Sequence, residues 1–196
     1  MEKRTAGEGM KTGLILALCL TAMGLCGQET FPRPDFTGGM FYGGSYVSLQ
    51  NSHTQVSGTG TCLGGRLSFF LSPRFCIGGR GNSIRYFYDD VSSFRLGSGG
   101  ITAGMPFFGK RWMIVPGLYS GGGRLHNNHS LSASGAYHLV DYNYDSYFFA
   151  GPELTIVFRI NEKIGITLLS DYLFFSHGSP AVRNRLDICA GILFFR

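Results

Sequence analysis

Past Asp35 the chain breaks into runs in which apolar and polar residues alternate, the spacing that puts successive side chains on opposite faces of a strand. Between Phe148 and Ile160, one set of positions carries Phe148, Ala150, Pro152, Leu154, Ile156, Phe158 and Ile160. The other carries Phe149, Gly151, Glu153, Thr155, Val157 and Arg159. Ile164, Ile166, Leu168, Tyr172 and Phe174 alternate in the same way with Gly165, Thr167, Leu169 and Asp171, as do Leu63, Leu67, Phe69 and Leu71 with Cys62, Gly64, Arg66 and Ser68. Eight such runs are predicted as strands: about Gly38–Gln50, Gly58–Ser72, Phe75–Asp89, Ser93–Pro106, Trp112–Leu125, Asp145–Ile160, Lys163–Phe175 and Arg185–Phe195. No stretch past Asp35 has the period of an amphipathic helix.

The connections alternate too. Ser72–Arg74, Phe108–Arg111 and Asn161–Lys163 are short, whereas Asn51–Ser57, His126–Val140 and Ser176–Asn184 are longer and polar, Asp89–Ser92 being the shortest of this second set. Short turns at one end and long loops at the other describe an up-and-down sheet closed into a transmembrane barrel, with both termini at the short-turn, periplasmic end. One face apolar and the other built of Gly, Thr and isolated charges fits lipid outside and a polar lumen inside. The fold class expected is therefore all-β, an eight-stranded antiparallel up-and-down transmembrane β-barrel. A soluble, lipid-anchored periplasmic β-sandwich is the alternative. Runs of about 12–15 residues exceed the ~10 that cross a bilayer. Tyr86, Phe87, Tyr88, Phe107, Phe108, Trp112, Tyr142, Tyr144, Tyr147 and Phe175 lie near run ends, where interfacial aromatic girdles are expected.

Composition narrows the class. Gly is 30 of 196 residues without a period of three, which excludes collagen and disfavours a helical bundle. Aromatic residues make up 14% and charged residues 15%, a balance opposed to disorder. Lys3, Arg4 and Lys11 precede an apolar run through Leu25, which reads as a secretory signal peptide over residues 1–27. A linker over 28–37 and the barrel over 38–196 complete the expected organisation. Cys26 follows Leu25, where a lipoprotein signal has a small residue. Setting aside Glu2, Lys3, Arg4, Glu8 and Lys11, the totals of 17 basic and 12 acidic residues leave 14 and 10, scattered singly. No nucleic-acid partner is expected from that pattern. Cys62, Cys76 and Cys189 form no disulfide framework, although a Cys62–Cys76 bond is an alternative to free thiols. His126 and His129 lack acidic or thiol neighbours, so neither metal nor cofactor is expected. The glycine clusters 97–100 and 121–123 lack the Lys-Ser/Thr and helix of a phosphate loop.

The C-terminal run Asp187-Ile-Cys-Ala-Gly-Ile-Leu-Phe-Phe-Arg196, with the layout of strands and loops, resembles the small eight-stranded outer-membrane barrels of the OmpA/OmpX-like group. The resemblance covers Gly38 to Arg196 and rests on architecture. It implies an outer-membrane location after secretion, in a diderm bacterium, with outer-membrane lipid and lipopolysaccharide as surroundings. It also implies that Gly191, Phe194 and Phe195 form the signal read by the outer-membrane assembly machinery, with Arg196 standing where an aromatic is usual. Function would then be structural, or surface interaction with a host or envelope partner through the loops.

Ionisable residues in such a chain should point inward and pair. Arg66, Arg80, Arg95, Glu153, Arg159, Asp171 and Asp187 are the inward candidates, as a salt-bridged plug or as the lining of a narrow ion or water conduit. Eight strands enclose too little space for a large-solute pore. No catalytic residues are expected by default. His177 and Ser179 in Ser176–Pro180 resemble the His-x-Ser-Asn motif of lipid A deacylases, with Pro180 in the place of Asn. Asp187 or Asp171 would have to orient the histidine in that alternative.

Overall fold

The computed structural model describes residues 33–50, 55–87, 93–128, 130–133, 136–139, 144–176 and 182–196. Its strands are β1 Phe36–Gln50, β2 Gln55–Ser72, β3 Phe75–Phe87, β4 Ser93–Gly104, the short β5 Phe107–Phe108, and β6 Trp112–Asn128. They continue with β7 Ser130–Ala133, β8 Ala136–Leu139, β9 Tyr144–Arg159, β10 Ile164–Phe175 and β11 Val182–Phe195. Eight of these form the wall, each antiparallel to its neighbours, in the order β4-β3-β2-β1-β11-β10-β9-β6, and pairing of β4 with β6 closes the ring. β7 and β8 make a separate hairpin above β6. The sandwich alternative is thereby excluded. The proposed signal segment 1–27 lies outside the described residues.

The short turns lie at one end, as the spacing predicted. At Pro73 and Arg74 the Ser72 hydroxyl accepts the Arg74 N–H at 3.3 Å. After β9, Asn161 Oδ1 accepts the N–H groups of Lys163 and Ile164 at 2.8 and 2.9 Å, so one side chain reverses the chain. The start of β1 meets the end of β11 here as well, because Asp35 and Phe36 donate to the carbonyl of Arg196 at 2.7 and 3.1 Å.

The faces follow the alternation. Outward residues include Phe148 (73% exposed), Leu118, Ile101, Leu71, Ile166 and Ile192, an apolar belt with no protein partner among the described residues. Inward, two apolar plugs fill the ends of the lumen. Phe70, Cys76, Met113, Val115, Val157 and Leu193 form one at the short-turn end, with Phe108 and Phe195 against it. Phe41, Ile84, Tyr86, Leu96, Tyr119, Tyr147, Phe149 and Leu173 belong to the other, toward the long-loop end. Four residues expected in aromatic girdles are thus found inside, Phe108 against the lower plug and three at the upper one. Tyr86 and Tyr147 are buried, and Phe175 packs edge-on to Tyr147 with centroids 5.1 Å apart. Tight strand curvature leaves a lumen that only side chains can fill, and the large rings fill it.

Some glycines set the wall geometry. A Cβ on Gly121 would lie 2.2 Å from the carbonyl oxygen of Gly99 and 2.6 Å from the Cα of Gly100. Nothing lies within 4 Å of a Cβ on the outward Gly44. Gly121→Ala should therefore cost about 1–3 kcal/mol in overpacking, whereas Gly44→Ala should be neutral. Urea unfolding of the two variants refolded in detergent checks the contrast.

Candidate functional site

Between the two plugs lies a charged layer assembled from opposite walls. Arg66 on β2 sits directly opposite Arg80 on β3. Across the lumen, Asp171 on β10 is paired on one side with Glu153 of β9 and on the other with Asp187 of β11. Each wall thus carries neighbouring like charges, an arrangement unfavourable on its own. Side chains of both ladders turn into the lumen and meet there.

Arg80 is the hub. Its Nη1 is 3.0 Å from Glu153 Oε2 and also bonds Asp171, while its Nη2 is 3.5 Å from Asp187 Oδ2. Its guanidinium lies between two rings, 4.9 Å from the Phe41 centroid and 4.7 Å from that of Tyr119. The Tyr119 hydroxyl donates to the carbonyl of Arg80 at 3.3 Å. Arg66 Nη1 reaches Glu153 Oε1 at 3.1 Å and also donates to Thr155. Asp187 accepts from Ser45 Oγ at 2.5 Å and from Asn82 Nδ2 at 3.0 Å. Arg185 Nη2 stands 3.0 Å from Asp187 Oδ2 without hydrogen-bond alignment, and its Nη1 donates to Ser98 at 3.2 Å. Arg66, Arg80 and Arg185 face Glu153, Asp171 and Asp187, so the layer is neutral.

Five of the seven inward candidates, Arg66, Arg80, Glu153, Asp171 and Asp187, are brought together in this way. Two are not. Arg95 points outward, because its neighbour Leu96 is fully buried in the upper plug. Arg159 keeps the inward register but lies at the mouth of the short-turn end, where its Nε donates to the carbonyl of Asn161 at 3.0 Å. Arg185 was not among the candidates, although it alternates with Asp187 and Cys189 on one face, and that signal was available. Ser45, Asn82 and Ser98 carry no such signal, since uncharged polar residues occur on both faces.

The layer leaves little open volume. Beneath it, a cavity of about 10 Å³ lies among Thr37, Arg66, Ser68, Cys76, Thr155 and neighbouring plug residues, room for about one water. Cys62, Cys76 and Cys189 are free and buried. Cys62 and Cys189 both pair with Gly43, in the upper half, whereas Cys76 pairs with Phe70 at the short-turn end, which separates Cys62 from Cys76. His177 and Ser179 lie outside the described residues. Asp187 and Asp171, the acids suggested for that alternative, are both buried in the charged layer. Gly191 faces the lumen against the backbone of Met40 and Phe41, Phe194 is exposed on the outer wall, and Phe195 packs on the lower plug.

Comparison with solved structures gives the architecture a context. The crystal structure of Neisserial surface protein A superposes with a TM-score of 0.64 at 10% identity, covering 83% of this chain and 97% of that one. This is the fold of the small eight-stranded outer-membrane β-barrels. The attachment invasion locus protein Ail of Yersinia pestis aligns over 85% of this chain and 100% of its own, with 14% identity and a TM-score of 0.47. The N-terminal barrel of Pseudomonas aeruginosa OprF aligns over 82% and 97%, also at 14% identity and 0.47. No family model matches the chain, and no curated protein matches it in sequence.

In a small barrel of this kind the ion-pair layer should behave as a closed electrostatic unit. Arg80→Met leaves buried carboxylates without their shared cation, and should cost about 3–5 kcal/mol in urea unfolding of the refolded barrel. Adding Asp171→Asn should recover part of that loss. An Arg80→Met barrel as stable as the parent would mean that the layer is open to water.

Proposed function

We propose that this chain is a closed, non-conducting barrel of a diderm outer membrane that presents its long-loop end at the cell surface for interaction. The observation that carries this reading is the filled lumen: a neutral layer of three arginines and three carboxylates between two apolar plugs. A conduit needs a continuous polar path, and aromatic and aliphatic side chains stand above and below this one. The outward apolar belt suits lipid, since soluble proteins seldom expose so large an apolar surface. The solved structure of TM-score 0.64 is, by its name, a surface protein. The reading is non-enzymatic, because Asp187 is committed to Ser45, Asn82 and Arg185, and Asp171 to Arg80. Gly191, Phe194 and Phe195 on the last strand remain the proposed assembly signal.

Two measurements test this. The purified barrel in planar bilayers should give no stepwise conductance, and a resolved channel would restore the conduit. Protease added to intact cells should cleave within residues 129–143, and cleavage only after permeabilisation would place the loops on the wrong side. Slower gel migration of the boiled outer-membrane fraction reports the folded barrel in either experiment.

A further inference from the structure

The surplus of positive charge is confined to one end of the barrel. Beyond residue 27 the chain has 14 basic and 10 acidic side chains. Seven of the basic ones, Arg33, Arg74, Lys110, Arg111, Arg159, Lys163 and Arg196, lie at the short-turn end, against two acids, Asp35 and Glu162. Everywhere else seven basic residues stand against eight acidic ones, so the rest of the chain has no cationic excess. Each short turn contributes: Arg74 between β2 and β3, Lys110 and Arg111 before β6, and Lys163 between β9 and β10. These four are exposed, and none belongs to the ion pairs of the lumen layer.

Backbone hydrogen bonds tie these turns to the neighbouring strands and hold the cations around the mouth. The N–H of Arg159 donates to the carbonyl of Arg111 at 2.7 Å, and the N–H of Phe195 to that of Lys163 at 2.9 Å. The N–H groups of Lys163 and Ile164 are held in turn by Asn161. The lower plug shuts the lumen behind this rim, with Phe108 and Phe195 against it. What the rim meets is therefore the membrane around it.

Depth identifies the partner. Arg74 is followed at once by the exposed Phe75. Arg111 is followed by Trp112, which pairs with the exposed Phe158, and Lys163 by Ile164, which pairs with the exposed Phe194. Two strand residues span ~7 Å, so these cations stand just below the apolar belt, where headgroups begin. In the orientation of such barrels the short turns face the periplasmic leaflet. Lys and Arg stems lie along the apolar edge and carry their charges to headgroup level. Cations on three turns joining different strand pairs meet several singly charged headgroups, with no need to converge on one ligand.

We propose that Arg74, Lys110, Arg111 and Lys163 form a cationic rim that gathers anionic phospholipid, in preference to zwitterionic phospholipid, in the periplasmic leaflet around the barrel. The proposal rests on the outer-membrane reading above, and the gel-migration shift tests that reading separately. The chain carries its own reporter of this rim. Trp112 is its single tryptophan and directly follows Arg111. Its strand neighbour Met113 is buried in the lower plug, so the indole faces lipid, and it packs over Gly109, where a Cβ would lie 2.2 Å from the ring.

The test uses the full mature chain refolded into bilayers of equal parts phosphatidylcholine and phosphatidylglycerol, with brominated acyl chains on one lipid or the other. Overall composition is the same in both, so the difference in Trp112 quenching reads the local lipid ratio. The parent should show phosphatidylglycerol enriched at least about threefold beside Trp112, and roughly 1 M salt should abolish the preference. Arg74→Gln/Lys110→Gln/Arg111→Gln/Lys163→Gln should bring the two lipids to parity while the heat-dependent migration shift persists. Lys110→Gln/Arg111→Gln, a milder change, should remove part of the preference. Arg95→Gln/Arg124→Gln, at the far end of the wall, should leave it intact. Equal quenching by the two lipids in the parent would overturn the proposal. So would an undiminished preference in the short-turn variants, or an equal loss in the Arg95/Arg124 variant.

Discussion

Two ladders of like charge that meet across the lumen, with Arg185 beside Asp187 completing their balance, dominate this molecule. Arg66 and Arg80 stand side by side on one wall, and Glu153, Asp171 and Asp187 on the other. Neither ladder is tolerable alone in a dry interior, where an uncompensated charge costs several kcal/mol. Their mutual approach requires a lumen narrow enough for Arg80 to touch three carboxylates at once. Strand number, glycine placement and the two aromatic-rich plugs all serve that narrowness. The gain is in specificity of closure more than in raw stability, because Asp171 Oδ1 and the Nε atoms of Arg80 and Arg185 find no partner among the described residues.

The distribution of polarity is layered rather than simply inverted. A barrel in lipid is expected to be apolar outside and polar within. Here the middle of the lumen obeys that expectation, and its two ends do not. Leu96, Tyr147 and Leu173 close the upper end, and Met113, Val157 and Leu193 the lower. The charged layer is therefore isolated from both aqueous sides, which strengthens its internal attractions and raises the cost of losing any member. The outer wall has its own vertical order, with aliphatic and aromatic residues through the belt and arginines above it on β3, β4 and β6.

Much of this was legible in the sequence because a period of two is unambiguous wherever one face is uniformly apolar. Strands β2, β9 and β10 follow the predicted faces residue by residue, and the short turns fall where Pro73 and Asn161 placed them. Arg95 shows where the reading fails. Its strand runs Leu-Gly-Ser-Gly-Gly after it, so few apolar residues mark the lipid face, and the rule that charge points inward chose the wrong one. Leu96 reverses that rule because it belongs to a plug, which leaves its neighbour Arg95 on the outer face. Tyr86, Phe108, Tyr147 and Phe175 went astray for the same reason: position near a strand end does not say whether a ring turns toward lipid or lumen. The pairing of Arg80 with Asp171 and Asp187 was beyond sequence reasoning altogether, because it depends on how the sheet's stagger brings opposite walls into register.

The separation of the two ladders along the chain has a kinetic consequence. Arg80 meets Glu153, Asp171 and Asp187 across 73, 91 and 107 residues. Arg66 and Arg80 come from β2 and β3, whereas the three acids, with Arg185, come from the last three wall strands, so a half-built sheet holds Arg66 and Arg80 without their partners. Such a species is held back from lipid by its own charge until the remaining strands arrive. Folding of this kind is dominated by non-local contacts and pays its loop-closure entropy before the compensating attraction appears. The transition state should accordingly be late, with insertion and ring closure occurring as a single concerted event instead of hairpin by hairpin.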